Sequence, residues 1–396
     1  MSKLDELMRE LCPAGVFFEF ANDLVLLNNY KQVGAEELEQ MIVDGGNVPL
    51  LPSSRNYDWY TTTEVAGKFL SKGEVFVMGR ARHANTKYAN GFFVSSNNII
   101  IESKNTEKIT TRFLYHYLTS KITDFYVETS TYPKFDMNLF KKVLVPVPPL
   151  EVQREIVRIL DSFTELTAEL TAELTAELVA RKQQYEYYRD LLLTFDDVEF
   201  KKLGEVAEIR SGWGFPNKEQ GLQNGDLPFY KVSDMNNQQN LVYMSTASNY
   251  VSYETSKKLK CNPAPKNTII FPKIGAAIAT NKKRMLSGVA CYDNNIMGVI
   301  VGEKVLAEFV YFLFDSCDLM KFSNGEGAVP SIRKSALEEW MIPVPPPEEQ
   351  ERIVKILDRF DKLCNDLSEG LPAEIEARQK QYEYYRDKLL TFKEID

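Results

Sequence analysis

The stretch PVPPLEVQREIVRILDSF, residues 146–163, recurs as PVPPPEEQERIVKILDRF at 343–360, and RKQQYEYYRDLLLTF at 181–195 recurs as RQKQYEYYRDKLLTF at 378–392. Both pairs share an offset of 197 residues, and about 30 of the 50 positions from Pro146 to Phe195 are identical without a gap. Chance does not produce that, so the chain carries an internal duplication. Fainter similarity extends upstream. Asn97-Asn98-Ile99 matches Asn294-Asn295-Ile296, FLYHYL at Phe113 matches FVYFLF at Phe309, and Pro133 matches Pro330. Val16-Phe17-Phe18 resembles Val198-Glu199-Phe200 at an offset of only 182, so the second copy holds about 15 extra residues before Ile269.

Each unit is therefore a variable domain followed by a 50-residue segment. PVPP is a stiff extended entry that cannot join a helix, and helical periodicity follows it. Ile156, Ile159, Leu160, Phe163, Leu166, Leu170, Leu174 and Leu178 fall at spacings of three and four. About 45 residues at ~1.5 Å each make a rod of roughly 65 Å, and its apolar stripe needs a partner that the second copy supplies. Gly370 and Pro372 predict a break in that second rod. In the variable domains EVFVM, FFVSS, NIIIES, NTIIF and MGVIV read as strands and TTRFLYHYLTSKI as a helix. The expected fold class is mixed α/β: two globular α/β domains joined by two long antiparallel helices in a pseudo-two-fold tandem repeat. The expected boundaries are a first domain at 1–145, a spacer helix at 146–195, a second domain at 196–342 and a second spacer helix at 343–396.

Hydrophobic residues at 44% and charged residues at 26% suit a soluble globular chain of 396 residues. No apolar run reaches the ~18 residues of a membrane span, and Met1 to Glu10 has no secretion-signal core, so a cytoplasmic location without membrane contact is expected. Cys12, Cys261, Cys291, Cys317 and Cys364 are odd in number and form no CxxC pair, so neither a zinc site nor a disulfide framework is indicated. The net charge of −9 conceals an uneven distribution. Lys257, Lys258, Lys260, Lys266, Lys273, Lys282, Lys283 and Arg284 occupy 257–290 without one Asp or Glu, while acids gather at 150–190 and 348–387. Basic heads on an acidic scaffold point to phosphate binding.

The duplicated PVPPxExQxxIVxILDxF and QYEYYRDxLLTF motifs, each following a variable domain, resemble the specificity subunits of Type I restriction-modification systems. The resemblance spans nearly the whole chain. Three TAEL units, carrying Thr167, Leu170, Thr171, Leu174, Thr175 and Leu178, resemble the subgroup in which repeat number sets the target spacing. The second rod reads DLSEGLPAEIEA and lacks them. The resemblance implies two target-recognition domains on double-stranded DNA, each reading one half-site of a bipartite target. It further implies two modification (adenine-N6 methyltransferase) subunits and, with them, restriction (motor-nuclease) subunits. S-adenosylmethionine, ATP and magnesium would belong to those partners, with no cofactor, metal or catalytic residue in this chain. A free-standing bipartite DNA binder, such as a repressor, is the alternative.

The sequence contains no glycine-rich cofactor loop with an Asn/Asp-Pro-Pro-aromatic motif, and Cys261-Asn262-Pro263-Ala264 imitates one poorly. No Gly-Lys-Ser/Thr is present for a nucleotide-driven motor. Glu199-Phe200-Lys201 holds a fragment of a nuclease motif but aligns with a domain start. Of the two histidines, His116 lies in an apolar patch and reads as a core residue.

Corresponding turns of the two domains hold the candidate DNA contacts. Arg80, Arg82, His83, Asn85, Lys87 and Tyr88 lie between EVFVM and FFVSS; Lys273, Asn281, Lys282, Lys283 and Arg284 follow NTIIF. Arg80, Arg82 and Asn85 suit base edges, whereas Lys87, Lys282 and Lys283 suit phosphates. A second pair of loops precedes each PVPP. They are TSTYPKF at 129–135, with Lys134, and GEGAVPSIRK at 325–334, with Arg333 and Lys334. Ser211 to Pro216 and Tyr230 to Asp234 are weaker candidates. Tyr185, Tyr187, Tyr188, Tyr382, Tyr384 and Tyr385 sit at helical spacing and read as packing between helices or against a modification subunit.

Overall fold

The computed structural model describes residues 2–54, 58–80, 84–129, 132–324, 329–365 and 370–395. Its chain forms two compact units, Met1–Thr171 with Ala377–Asp396, and Ala172–Glu376. The long helix Leu150–Leu192 runs without interruption through all three TAEL units. The second copy is two helices, Pro347–Asn365 and Leu371–Leu389, in keeping with Gly370 and Pro372.

In the first unit a six-stranded sheet runs in the order Val25–Asn28, Asn98–Ser103, Ser71–Gly79, Thr86–Ser95, Val48–Leu51, Tyr60–Thr61. Its two-residue alternation sends Phe76, Met78 and Ile101 to one face, where Phe113 and Leu114 of helix Thr111–Ser120 and Val152, Ile156 and Leu160 of the long helix cover them. Val75, Val77, Ala89 and Phe93 go to the other face, beneath Leu51. Phe17–Phe20 pairs antiparallel with Leu144–Val147, clasping the domain's beginning to its end. The C-terminal tail also belongs here. Val16 N donates to Lys393 O at 2.8 Å and Ile395 N to Val16 O at 3.1 Å, while Leu390 and Phe392 enter the core. Gly15, at φ 122°, lets the tail approach, since a Cβ there would meet Lys393 O at 2.5 Å.

The second unit repeats the plan. Ala207–Ser211, Ile296–Val301, Ile269–Pro272 and Arg284–Leu286 lie in the order of their first-unit counterparts, and Phe200–Lys202 pairs with Met341–Pro343. Tyr250–Val251, Leu227–Tyr230 and Cys291–Tyr292 pair as Tyr60–Thr61, Val48–Leu51 and Val94–Ser95 do in the first unit, but here they form a separate three-stranded sheet. Here the domain and its preceding helix are joined covalently, and Leu192, Leu193 and Phe195 pack on a core of Phe309, Phe312, Ile353 and Leu357.

The repeated glutamine of PVPPxExQ explains its own recurrence. Gln153 Nε2 donates to Pro148 O and Lys108 O, and its Oε1 accepts from Thr110 N, at the cap of helix Thr111–Ser120. Gln350 Nε2 donates to Pro345 O and its Oε1 accepts from Leu306 N, at the cap of helix Ala307–Asp315. Both are fully buried, so removing either leaves backbone groups unsatisfied at about 1–3 kcal/mol apiece.

Within each unit the helix seam is antiparallel. Phe163 meets Tyr385 (ring centroids 6.1 Å apart) and Thr164 meets Tyr382 in the first; Tyr188 stacks on Phe360 at 5.8 Å in the second. Leu166 departs from the expected stripe. It is 60% exposed and gives only its edge to the groove of Phe163, Thr167, Leu170 and Tyr382, because 100° per residue turns it away from the line of Phe163, Leu170 and Leu174. Among the described residues no helix is long and apolar enough to cross a membrane, and no group of His, Cys, Asp or Glu could hold a metal ion. The five cysteines are free thiols, four of them buried.

Candidate nucleic-acid interface

The strands Ser71–Gly79 and Thr86–Ser95 form a hairpin, with Met78 opposite Thr86, whose turn carries the first candidate set. Arg80 is exposed, with Nη2 3.5 Å from Asn98 O. Arg82 and His83 lie outside the described residues. The loop before PVPP joins this turn: Phe135 N donates to Arg80 O at 3.2 Å and Tyr126 OH to Gly79 O. Exposed Lys134, its ammonium 5.7 Å from the Tyr132 ring, is thereby carried next to Arg80.

The second domain makes the same junction. Ile332 N donates to Lys273 O and Gly275 N to Pro330 O, both at 2.8 Å, which ties the segment before PVPP to the turn after Ile269–Pro272. Residues 325–328 of that segment lie outside the described residues. Arg333 and Lys334 are exposed, and Lys334 faces Glu338 at 3.5 Å. Lys282 donates to Asn236 Oδ1. The two loop pairs that the sequence presented separately are thus one surface in each domain.

Several expected contacts are committed inside the domain instead. Lys87, assigned to phosphate, is 5% exposed and its ammonium donates to Pro52 O at 2.7 Å, Ser54 O at 2.6 Å and Asn85 Oδ1 at 2.7 Å. Asn85, assigned to a base edge, donates from Nδ2 to Ser53 O at 2.8 Å. Burial lowers the Lys87 pKa to about 8. Lys283, also assigned to phosphate, is 3% exposed and donates to Cys317 O at 2.7 Å; burial lowers its pKa too. Arg284 turns inward, donating to Lys283 O and Met235 O, and Asn281 spends its amide on Cys317 O and Leu319 N. Lys273 donates to Ser211 Oγ. Strand parity is the signal that marks Lys87, which lies in register with Val77 and shares the inward face of Ala89.

Tyr88 points to the opposite face and joins a network anchored on the long helix. It donates to Glu74 Oε1 at 2.8 Å, and the Arg112 guanidinium lies 4.0 Å from its ring centroid. Burial and the Glu74 carboxylate push its hydroxyl pKa upward. Arg112 grips Asp161 Oδ1 through Nε at 2.9 Å and Nη2 at 2.7 Å, and buried His116 Nε2 lies 2.7 Å from the same oxygen. In the second unit Tyr185 OH and Arg189 Nη1 hold Asp315 Oδ2 at 2.8 and 3.0 Å. Each domain is therefore bolted to a spacer helix by a charged network that the sequence motifs did not disclose.

Each of the two similar domains thus presents a turn and a pre-PVPP loop as one partly basic surface and is keyed to a helix. The sequence model described as the Type I restriction modification DNA specificity domain matches residues 37–180 and 196–377, most of both copies. The chain belongs to the Type I restriction-modification specificity subunit family. Specificity subunits of this family are non-catalytic DNA-recognition subunits. The chain is 34% identical over 364 residues to the EcoR124I/EcoR124II specificity subunit of Escherichia coli, spanning 88% of each protein. It is also 34% identical over 360 residues to a putative type I restriction enzyme specificity subunit of Haemophilus influenzae, S.HindORF215P, spanning 88% of this chain and 89% of the relative. Its fold resembles that of a chain solved in a study of complex assembly and conformational transition of the type I R-M system. That match has a TM-score of 0.63 at 16% identity and covers 96% of this specificity subunit and 98% of the other chain. The S subunit of a type I system from M. genitalium superposes at a TM-score of 0.51 with 15% identity, over 94% and 96% of the chains.

Proposed function

We propose that this specificity subunit recognises a bipartite DNA target, with residues 1–145 reading one half-site and 196–342 the other across an unspecified spacer. The carrying observation is the duplicated surface in which Arg80 meets Lys134 and Lys273 meets the segment of Arg333. Exposed Arg80 suits base edges, and Lys134, Lys282, Arg333 and Lys334 suit phosphates. Arg82 and His83 remain part of the proposed first reading turn.

The spacer helices scaffold two modification subunits that methylate adenine N6, and the resulting complex recruits restriction subunits. S-adenosylmethionine, ATP and magnesium act on those partners. Support comes from the exposed tyrosines: Tyr187 is 66% and Tyr384 63% exposed at matching places, the same apolar surface offered twice to two copies of one partner. The TAEL units set the separation of the half-sites.

The experiment is to map methylated adenines in DNA from cells making this chain with its modification subunit, then to replace residues 1–145 with the domain of another family member. One half-site should change while the other stays. Simultaneous change of both half-sites refutes the assignment of one half-site per domain.

A further inference from the structure

Asn85-Thr86-Lys87 and Asn281-Lys282-Lys283 place an Asn-x-Lys triplet at the entry to the second strand of each domain's hairpin. In both, the lysine is buried, and among the described residues no carboxylate lies within ion-pair distance of its ammonium, although Asp315 and Asp318 act on Lys283 from farther off. Lys87 has backbone carbonyls of Pro52 and Ser54 and the Asn85 amide oxygen; Lys283 has the Cys317 carbonyl. An amine kept in the interior against its desolvation cost needs a compensating role, since a methionine would fill similar space. The lysines' companions show what that role is. Asn85 Nδ2 reaches Ser53 O, so Asn85 and Lys87 grip three consecutive carbonyls, Pro52 to Ser54. Asn281, held left-handed at φ 53°, donates to the same Cys317 O that Lys283 holds and accepts from Leu319 N at 2.9 Å. The gripped loop precedes the hairpin in the first domain and follows it in the second. One device therefore braces the reading turn against different loops.

We infer that Lys87 and Lys283, each with its asparagine, are positioning residues that lock the reading turn of their domain to a second loop and so fix which bases that domain accepts. The inference rests on the reading of one half-site per domain. Neither lysine touches DNA. Without the clamp the turn and the loop move independently, the base contacts lose alignment, and the exposed cations still neutralise phosphate.

The test uses the full chain assembled with its modification subunits, carrying Lys87→Met or Lys283→Met. Binding is measured by competition on duplexes altered in one half-site at a time, at several salt concentrations, alongside amide hydrogen exchange. Lys87→Met should lose about 10- to 100-fold of discrimination at the first domain's half-site and keep the second; Lys283→Met should do the reverse. The salt slope should stay unchanged in both, while exchange accelerates at residues 53–54 or 317–319. Where a methionine variant fails to fold, Asn85→Ser or Asn281→Ser removes the partner amide at the more exposed end and carries the same expectation. Unchanged discrimination in a folded variant, equal loss at both half-sites, or a slope lowered by about one unit, the mark of a lost phosphate contact, overturns the inference. A wild-type complex with no half-site preference refutes the domain-wise reading and this assignment with it. A preserved wild-type preference with unaffected variants refutes this assignment alone.

Discussion

Deleting Thr171 to Leu174 removes one TAEL unit from the middle of the uninterrupted helix Leu150–Leu192. Four residues carry ~6 Å of rise and ~400° of rotation, a net turn of roughly 40°. One base pair of B-DNA carries about 3.4 Å and roughly 35° in the same right-handed sense. The rotations match for one base pair, so a helix that sets the half-site spacing as proposed should shift it by one. The local cost is small because the sequence repeats: Thr175 to Leu178 slide into the places of Thr171 to Leu174, so a leucine again fills the site where Leu174 is 9% exposed. Upstream, Phe163, Thr167 and Leu170 keep their groove against Tyr382 and Tyr385. Downstream, Tyr185 and Arg189 keep Asp315, and Tyr188 keeps Phe360. The direct loss is the half-buried Leu178 site, about 1 kcal/mol of apolar burial, and strain adds to it because the partner span from Phe360 to Tyr385 does not shorten with the long helix. Methylated-adenine mapping of the variant should show both half-sites unchanged and the unspecified spacer one base pair shorter. An unaltered spacer, or altered half-site bases, would refute the ruler reasoning.

Lys282→Ala should weaken binding to all DNA sequences and lower the salt slope by about one unit, whereas Lys283→Ala should leave the slope alone and cost about 1 kcal/mol of stability, since Cys317 O then keeps only its longer bond from Asn281. Denaturant melts and salt titrations of both variants separate the two; a slope change in the second refutes its assignment to the interior. Burial pushes the His116 pKa below 6.5, with Arg112 and Arg386 adding to that and Asp161 opposing it. The unfolded chain therefore takes up a proton that the folded chain resists, and stability is retained above about pH 6.5 and lost as pH falls below it. Denaturant midpoints of wild type and His116→Asn between pH 7 and 5 should show the steeper decline in wild type; parallel curves would discard this histidine as the cause.

The duplication, the PVPP entry, the long helix and the break near Gly370 were legible because each depends on local chemistry: a proline that cannot donate, a period of 3.6, a residue that ends a helix. Comparison of the two copies also located the corresponding turns. What escaped was the facing of individual side chains. Lys87 looks like a surface cation in a basic turn, yet its acceptors lie at Pro52 and Ser54, and the sheet register that turns it inward pairs it with Val77. Lys283 likewise finds its acceptor at Cys317. The repeated glutamine was visible as a motif, but its partners, Lys108 with Thr110 and Leu306, stand more than forty residues away. Sequence alone therefore determined the repeat, the order of domains and helices, and the family, since these rest on short-range periodicity and self-similarity. Only the tertiary structure decided which cations face solvent, because a lysine is buried or exposed according to whether distant carbonyls replace the water it gives up.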